Sequence, residues 1–200
     1  MKISHSFYLG SDVVAISKAL LGKYLFTYIE GLLTGGYIVE TEAYNGIVDK
    51  ASHAFGNRRT GRTEIMYREG GIAYVYLCYG IHEMLNVVVS GENEPRAILI
   101  RAIEPTTGID IMLARKGMIS LKPNITAGPG SVAKALGIDR KINGISLQSE
   151  ALWIEDKGLT FTDDQIAKVP RIGVAYAQED ALLPYRFYVK GNKYVSKPNK

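Results

Sequence analysis

Two carboxylates stand two residues apart in the stretch GYIVETEAY, residues 36–44. As a β-strand the stretch alternates: Tyr37, Val39, Thr41 and Ala43 point one way, and Ile38, Glu40, Glu42 and Tyr44 the other. Like charges on one face repel unless each has a partner or one holds a proton. Carboxylates set among apolar and aromatic neighbours are suited to proton transfer; the same spacing also fits a solvated edge strand with paired acids. Arg101 interrupts the apolar run AILIRAI. An arginine in a central strand needs an anion, and Glu40 or Glu42 on a neighbouring strand is the expected one, for catalysis or as a structural ion pair.

Aromatic and amide groups form a second set. In AYVYLCYG, Tyr74 and Tyr76 share a strand face, while Tyr79 and Gly80 fall at the turn. A tyrosine at a hairpin tip is poorly placed for core packing; it can wedge between base pairs or simply cover the turn. Asn86 lies inside the apolar run MLNVVV, where a buried amide demands hydrogen bonds, either to tie strands together or to face a pocket. His53 is isolated in DKASHAFGNRRTGR, and His5, His53 and His82 show no metal-ligand spacing. Cys78 has no CxxC partner, and the chain has neither a P-loop nor a dinucleotide fingerprint. No metal or cofactor is expected. GPGS before a helix could hold a phosphate on backbone N–H groups, or reflect Ser131 capping its own helix.

These groups need a scaffold. SDVVAISKALLG reads as a helix capped by Ser11 or Asp12, with Val13, Ile16 and Leu20 inward and Gly22 as its stop. KYLFTYI reads as a strand, followed by a turn over 31–36 and the GYIVETEAY strand. Residues 45–70 form a polar connection rich in Gly and Arg, long enough to suggest function. AYVYLCY and MLNVVVS predict a hairpin joined by YGIHE, and RAILIRAIE a further strand. EPTTGIDIMLARKG predicts a helix capped at Thr106 or Thr107 and ended by Gly117; TAGPGSVAKALGI predicts a Gly-Pro-Gly turn and a short helix ended by Gly137. EALWIED, RIGVAYA and RFYVKGNKYVS supply further strands. The expectation is an α+β single domain over residues 1–200, with a largely antiparallel curved β-sheet, flanking helices and a protruding β-hairpin.

Composition narrows the partners. Of 200 residues, 46% are hydrophobic and 22% charged, as in soluble globular proteins. A single cysteine rules out an internal disulfide and suits a reducing compartment. No long apolar run marks a signal peptide or membrane span, so a cytoplasmic, nucleoid-associated or nuclear location is expected. The formal net charge is +4. Arg58, Arg59, Arg62 and Arg68 form one basic cluster, and Lys190, Lys193, Lys197 and Lys200 another. Together with 13 tyrosines, this leans towards nucleic acid: phosphates attract cations and bases stack on flat rings.

The combination of VETEAY, YVYxxYG and LIRAxEP resembles the alkyladenine (3-methyladenine) DNA glycosylase family. The likeness runs over residues 8–196 and includes ALLGKYL, SHAFGNRRT, TAGPGSVAKALGI, PRIGV and RFYVKGNKYVS. It implies that Glu42 is the general base activating the water that attacks C1′, with Arg101 helping to hold both. It implies that Tyr44 and His53 sandwich the flipped base with Tyr76 opposite, that Asn86 crowds the exocyclic amine of normal guanine, and that Tyr79 fills the gap left in the duplex. Ile81 beside Tyr79, and the basic Arg58, Arg59 and Lys116, are the further DNA contacts expected. Ser131 stands where some relatives carry a basic residue, and Arg115 or Lys116 can replace it. The implied reaction is monofunctional hydrolysis of the N-glycosidic bond of 3-methyladenine, 7-methylguanine, hypoxanthine or ethenoadenine. The partner is double-stranded DNA with damaged purines, and nothing demands more than a monomer. A non-catalytic RNA-binding module would use the same tyrosines and basic loop but leave the Glu42–Arg101 pairing idle. A small-molecule hydrolase would leave the arginine cluster idle.

Overall fold

The structure is a computed structural model describing residues 1–197; Lys200 of the terminal basic cluster lies outside the described residues. Eight strands form one sheet: β1 (Tyr24–Ile29), β2 (Leu32–Tyr44), β3 (Ile72–Cys78), β4 (His82–Val89), β5 (Arg96–Thr107), β6 (Leu152–Glu155), β7 (Ile166–Val169) and β8 (Arg186–Val189). The order is β3-β4-β5-β2-β1-β6, with β8 pairing with both β2 and β7. Every strand pair is antiparallel. Three α-helices, α1 (Val13–Ala19), α2 (Ile109–Lys116) and α3 (Pro129–Leu136), accompany the sheet. The fold is α+β, and no helix among the described residues is long and apolar enough to cross a membrane.

β2 is the axis of this arrangement. At 13 residues it is long enough to pair with β1 through Leu32–Tyr37 and then with β8 through Glu40–Glu42, while β5 runs along its other side. The ETE segment is therefore flanked on both sides rather than lying at an edge. The β2–β5 register breaks at the same place: Ile38 faces Ile103, Glu40 faces Ala102 and Thr41 faces Ile100. The irregularity gives neither Val39 nor Arg101 a directly opposed residue in the β2–β5 register, one on each side of the Glu40–Ala102 pair, and such bulges re-aim side chains. Ile38 accordingly joins the apolar core and does not share the polar face of Glu40 and Glu42 as strict alternation predicts.

The expected turn over 31–36 is tighter than that. It consists of Glu30 (φ 56°) and Gly31 (φ 75°), two left-handed residues of a two-residue hairpin. Gly35 and Gly36 lie inside β2 because the backbone there is crowded: a Cβ on Gly36 would meet the Glu104 carbonyl oxygen at 2.1 Å.

Asp12 caps α1, its Oδ1 accepting from Val14 N at 3.0 Å and Ala15 N at 2.9 Å. Val13, Ile16 and Leu20 are buried as the periodicity predicts. The helix is tied to the ETE segment of β2: Ser17 Oγ donates to Thr41 Oγ1 at 3.0 Å, which donates to Ser17 O at 2.9 Å. Thr106 and Thr107 do not cap α2. They belong to β5, and left-handed Gly108 (φ 65°) begins the helix. α3 starts at Gly128 with Pro129 in its first turn, so Ser131 lies inside the helix rather than capping it. RIGVAYA is not a strand; it is loop and irregular 3₁₀ turns through Ala175–Leu182, while β7, unanticipated, is a short strand whose Lys168 is exposed.

Gly36→Val should lower unfolding stability by about 2 kcal/mol or more, because β5 must move to admit the side chain. Denaturant titration of both proteins measures this.

Candidate active site

Glu40 and Glu42 are both fully buried. Burying a carboxylate is costly unless cations and hydrogen bonds replace water. Glu40 has both: its Oε1 accepts from Arg101 Nε at 2.9 Å, Arg186 Nε at 2.7 Å and Ser196 Oγ at 2.9 Å, and its Oε2 accepts from Ser196 N at 2.7 Å. Arg186 is itself fully buried; it also donates to the Lys197 carbonyl and lies over the Tyr188 ring. With its oxygens so occupied, Glu40 is an anchor.

Glu42 is held more sparingly. Its Oε1 accepts from Ile172 N at 2.8 Å, its Oε2 accepts from Tyr44 Oη at 2.9 Å, and Arg101 Nη1 lies 3.3 Å from Oε2. Burial raises the Tyr44 phenol well above its ordinary value, with the Glu42 charge adding to the effect, so Tyr44 is a neutral donor. The Arg101 guanidinium is itself raised: desolvation works against its charge, but Glu42 and Glu40 outweigh it.

The loop that supplies Ile172 is fixed by another buried pair. Arg171 Nη1 donates to Asp49 Oδ2 at 2.6 Å and Nη2 to Asp49 Oδ1 at 2.8 Å, a two-pronged contact; Nη1 also donates to Ala43 O at 2.9 Å. The guanidinium carbon is 4.9 Å from the Tyr44 ring centroid and 5.3 Å from that of Tyr185. One side chain thus joins the end of β2, the loop after it and the segment that donates to Glu42.

A narrow cavity of about 40 Å³ opens beside Tyr44, with His53, Tyr76 and Asn86 among its walls and Tyr176 at its mouth. His53 Nδ1 and Tyr74 Oη are 2.9 Å apart. The His53 and Tyr76 rings meet edge to face with centroids 4.7 Å apart. No base fits between those two; they form one wall, and Tyr44, Tyr74 and Tyr176 also line the cavity. Burial, then the charges of Arg62 and Arg58, push the His53 imidazole down to about 4, so it is neutral at physiological pH. Asn86 Nδ2 donates to Tyr74 O at 3.2 Å, and Asn86 is paired with Tyr74 in the β3–β4 register.

The hairpin tip carries Tyr79 and Ile81, 88% and 72% exposed. Tyr79 has a left-handed backbone (φ 50°), as does Gly80 (φ 74°). A bulky residue in that conformation at an exposed tip is a strained position of the kind that clusters at functional sites.

The basic residues separate into two kinds. Arg58 and Arg62 line a polar recess of about 380 Å³ outside His53. Arg59 grips Glu64 through Nε at 2.8 Å and Nη2 at 2.6 Å, bonds Asn93 at 3.0 Å and lies over the Tyr67 ring, so its first task is to fix the loop. Lys116 donates to Ser131 Oγ at 3.0 Å, away from the acid cluster, and Arg115 bonds Thr34 and Ala135. Arg186, Arg171, Asp49, Ser196 and Tyr176 escaped the sequence reading. Arg171, Arg186 and Ser196 had only their membership of the PRIGV and RFYVKGNKYVS segments as a signal, Asp49 and Tyr176 had none, and the pairings Arg171–Asp49, Arg186–Glu40, Ser196–Glu40 and Tyr176–Ala51 each span more than 100 residues, as in Arg171–Asp49 (122 residues). Among the described residues no group of three or more His, Cys, Asp or Glu side chains is arranged to hold a metal.

The methylpurine-DNA glycosylase family model matches residues 6–193. The chain belongs to this family. Similar proteins, each provisionally named 3-methyladenine DNA glycosylase, include one from Bacillus cereus strain G9842, 44% identical over 98% of this chain and all of the relative. Another, from Chlamydia felis strain Fe/C-56, is 46% identical over 96% of this chain and 97% of the relative. A third, from Clostridium perfringens strain 13, is 43% identical over 98% of this chain and all of the relative. Membership makes the chain an enzyme of DNA repair that hydrolyses N-glycosyl bonds, with DNA as its partner. The buried acids and the neighbouring cavity are the part of this glycosylase where such chemistry fits.

Glu40→Gln should cost about 3–5 kcal/mol of stability, since it leaves Arg101 and Arg186 without their shared anion. Chemical denaturation monitored by circular dichroism measures it.

Proposed function

We propose that the enzyme is a single-domain, monofunctional DNA glycosylase that everts an alkylated or deaminated purine from duplex DNA and hydrolyses its N-glycosidic bond with a water activated by Glu42. The observation that carries this reading is the position of Glu42: a buried carboxylate, sparsely held, whose Oε2 is bonded to a tyrosine that also walls the aromatic cavity. Its counterpart Glu40 has its oxygens engaged by two arginines and a serine.

The base enters between Tyr44 and the wall formed by His53 and Tyr76. At about 40 Å³ the cavity admits a purine only as these rings part. Tyr176, at the mouth and held by a bond from its hydroxyl to Ala51 O at 3.1 Å, is the ring best placed to swing away. Ring faces attract electron-poor bases by stacking and cation–π contact, worth roughly 1–2 kcal/mol each. Neutral His53 adds no repelling charge. An alkylated purine already carries positive charge and leaves readily, so the protein has to place water and stabilise the oxocarbenium-like sugar. Glu42 does both, taking the water's proton while its charge lies near the developing cation. Arg101, close to both acids, holds the carboxylate in place. No lysine stands in the motif to form a Schiff base, so the product is an abasic site. Asn86 on the cavity wall restricts what normal guanine can place there.

Tyr79 fills the space the nucleotide leaves, with Ile81 beside it and Arg58 near the phosphates. 3-Methyladenine and 7-methylguanine match this chemistry as cations; hypoxanthine and ethenoadenine are neutral purines that the same aromatic walls would take by stacking. The protein works as a monomer at the nucleoid or nuclear DNA.

Glu42→Gln should lower base release by about 10³-fold while affinity for damaged duplex is largely kept. Alkali treatment of a duplex bearing one modified purine reads release as strand cleavage, and near-normal turnover by this variant would remove Glu42 from the chemistry. Tyr79→Ala should weaken binding to a damaged site by about tenfold with stability within about 0.5 kcal/mol of the parent. Titration of labelled duplex and thermal unfolding separate these effects; loss of folding would return Tyr79 to a structural role.

A further inference from the structure

Arg62 has no part in the chemistry above, yet it touches the aromatic wall at several points. Its guanidinium carbon lies 4.6 Å from the centroid of Tyr76. Burial raises the Tyr74 phenol while Arg62 works to lower it, and the charge of Arg62 helps keep His53 neutral. Tyr74 and Tyr76 are themselves in contact, with centroids 5.3 Å apart. Arg62 does not line the inner cavity. It lines the recess outside His53 and a second recess behind Tyr74 and Tyr76, which it shares with Arg140. Glu64 is engaged with Arg59 at 2.6 Å and Glu83 with Arg140 at 3.0 Å. Arg62 is therefore a cation backing the wall against which the base is to stack.

A ring's face-centred negative potential is finite. A cation on one face drains electron density from the other, so a second cation there gains less than it would on a free ring. The fixed charge also repels a cationic base directly across the ring. A neutral purine suffers neither effect, because its stacking depends mainly on contact area.

We propose that Arg62 is a specificity-determining residue: its guanidinium behind Tyr76 holds down the preference for formally cationic bases and so keeps neutral purines competitive. The proposal rests on the reading that Tyr44 and the His53–Tyr76 wall receive the everted base. It predicts that loss of this charge raises affinity for cationic bases relative to neutral ones, whatever its effect on total DNA affinity.

The test is equilibrium binding in the Glu42→Gln background, where no base is released. Two duplexes of the same sequence carry either 7-methylguanine, which is cationic, or hypoxanthine, which is neutral, and an undamaged duplex serves as reference. Arg62→Met keeps the side chain's bulk and removes its charge; Arg62→Lys keeps a charge. The Met variant should raise the ratio of 7-methylguanine to hypoxanthine affinity by about fivefold, and the Lys variant should stay closer to the parent. Equal weakening of both duplexes by the Met variant, with a shallower salt dependence, would make Arg62 a phosphate contact alone and overturn the proposal. An unchanged ratio with unchanged affinity would overturn it as well. If the Arg62-containing parent bound all three duplexes equally, the base-stacking reading itself would fall, an outcome distinct from either of these. Arg62 is exposed, so its replacement leaves the fold intact.

Discussion

Two glutamates with no exposed surface occupy neighbouring positions of a strand flanked on both sides. Their charge is the constraint around which the molecule is arranged. It is met by guanidinium groups from two different strands, Arg101 of β5 and Arg186 of β8, both on Glu40, with Arg101 reaching Glu42 as well. Guanidinium suits this because it holds its charge when desolvated and its fork contacts several oxygens in fixed geometry. The β2–β5 bulge, the pairing of β8 with β2 and the serine of the 196 position all serve this neutralisation. The two carboxylates differ in consequence: Glu40 is the more heavily bonded and fixes the strand, and Glu42 is the less encumbered.

The second level of order is the Asp49–Arg171 pair. It connects three elements that share no hydrogen-bonded ladder, and it places a cation against the Tyr44 ring while Ile172, the next residue, donates to Glu42. The wall of the base cavity and the hydrogen bonding of the acid are thereby set by one rigid unit. His53, Tyr74 and Tyr76 make the facing wall by ring contact, and Asn86 is built into the same hairpin.

Much of this was legible in the sequence where the signal was local. A cap at Ser11 or Asp12 and the β3–β4 hairpin follow from local residue preference, and the pairing of Arg101 with the acids of β2 follows from a charge set in an apolar strand. Elsewhere local pattern misled. Gly35 and Gly36 looked like turn residues but are required by the approach of the Glu104 backbone. RIGVAYA has a strand's composition, yet Ile172 spends its N–H on Glu42 rather than on a ladder. Thr106 and Thr107 resemble caps but extend β5 because β2 continues alongside to Gly35. The pairings Glu40–Arg186 and Asp49–Arg171 join residues 146 and 122 positions apart, and no spacing rule in one sequence links such positions.

That separation bears on how the chain reaches its native state. β2 is complete at residue 44, but Arg186 and Ser196 come some 150 positions later. Until β8 docks, the middle of β2 must keep Glu40 hydrated, and the sheet cannot dry at its centre. Collapse of the core and closure over the acids are consequently one late, concerted event. Long-range closure of this kind slows folding and makes it strongly cooperative. Partially folded forms then retain a wet, charged seam where the finished protein keeps its buried acids.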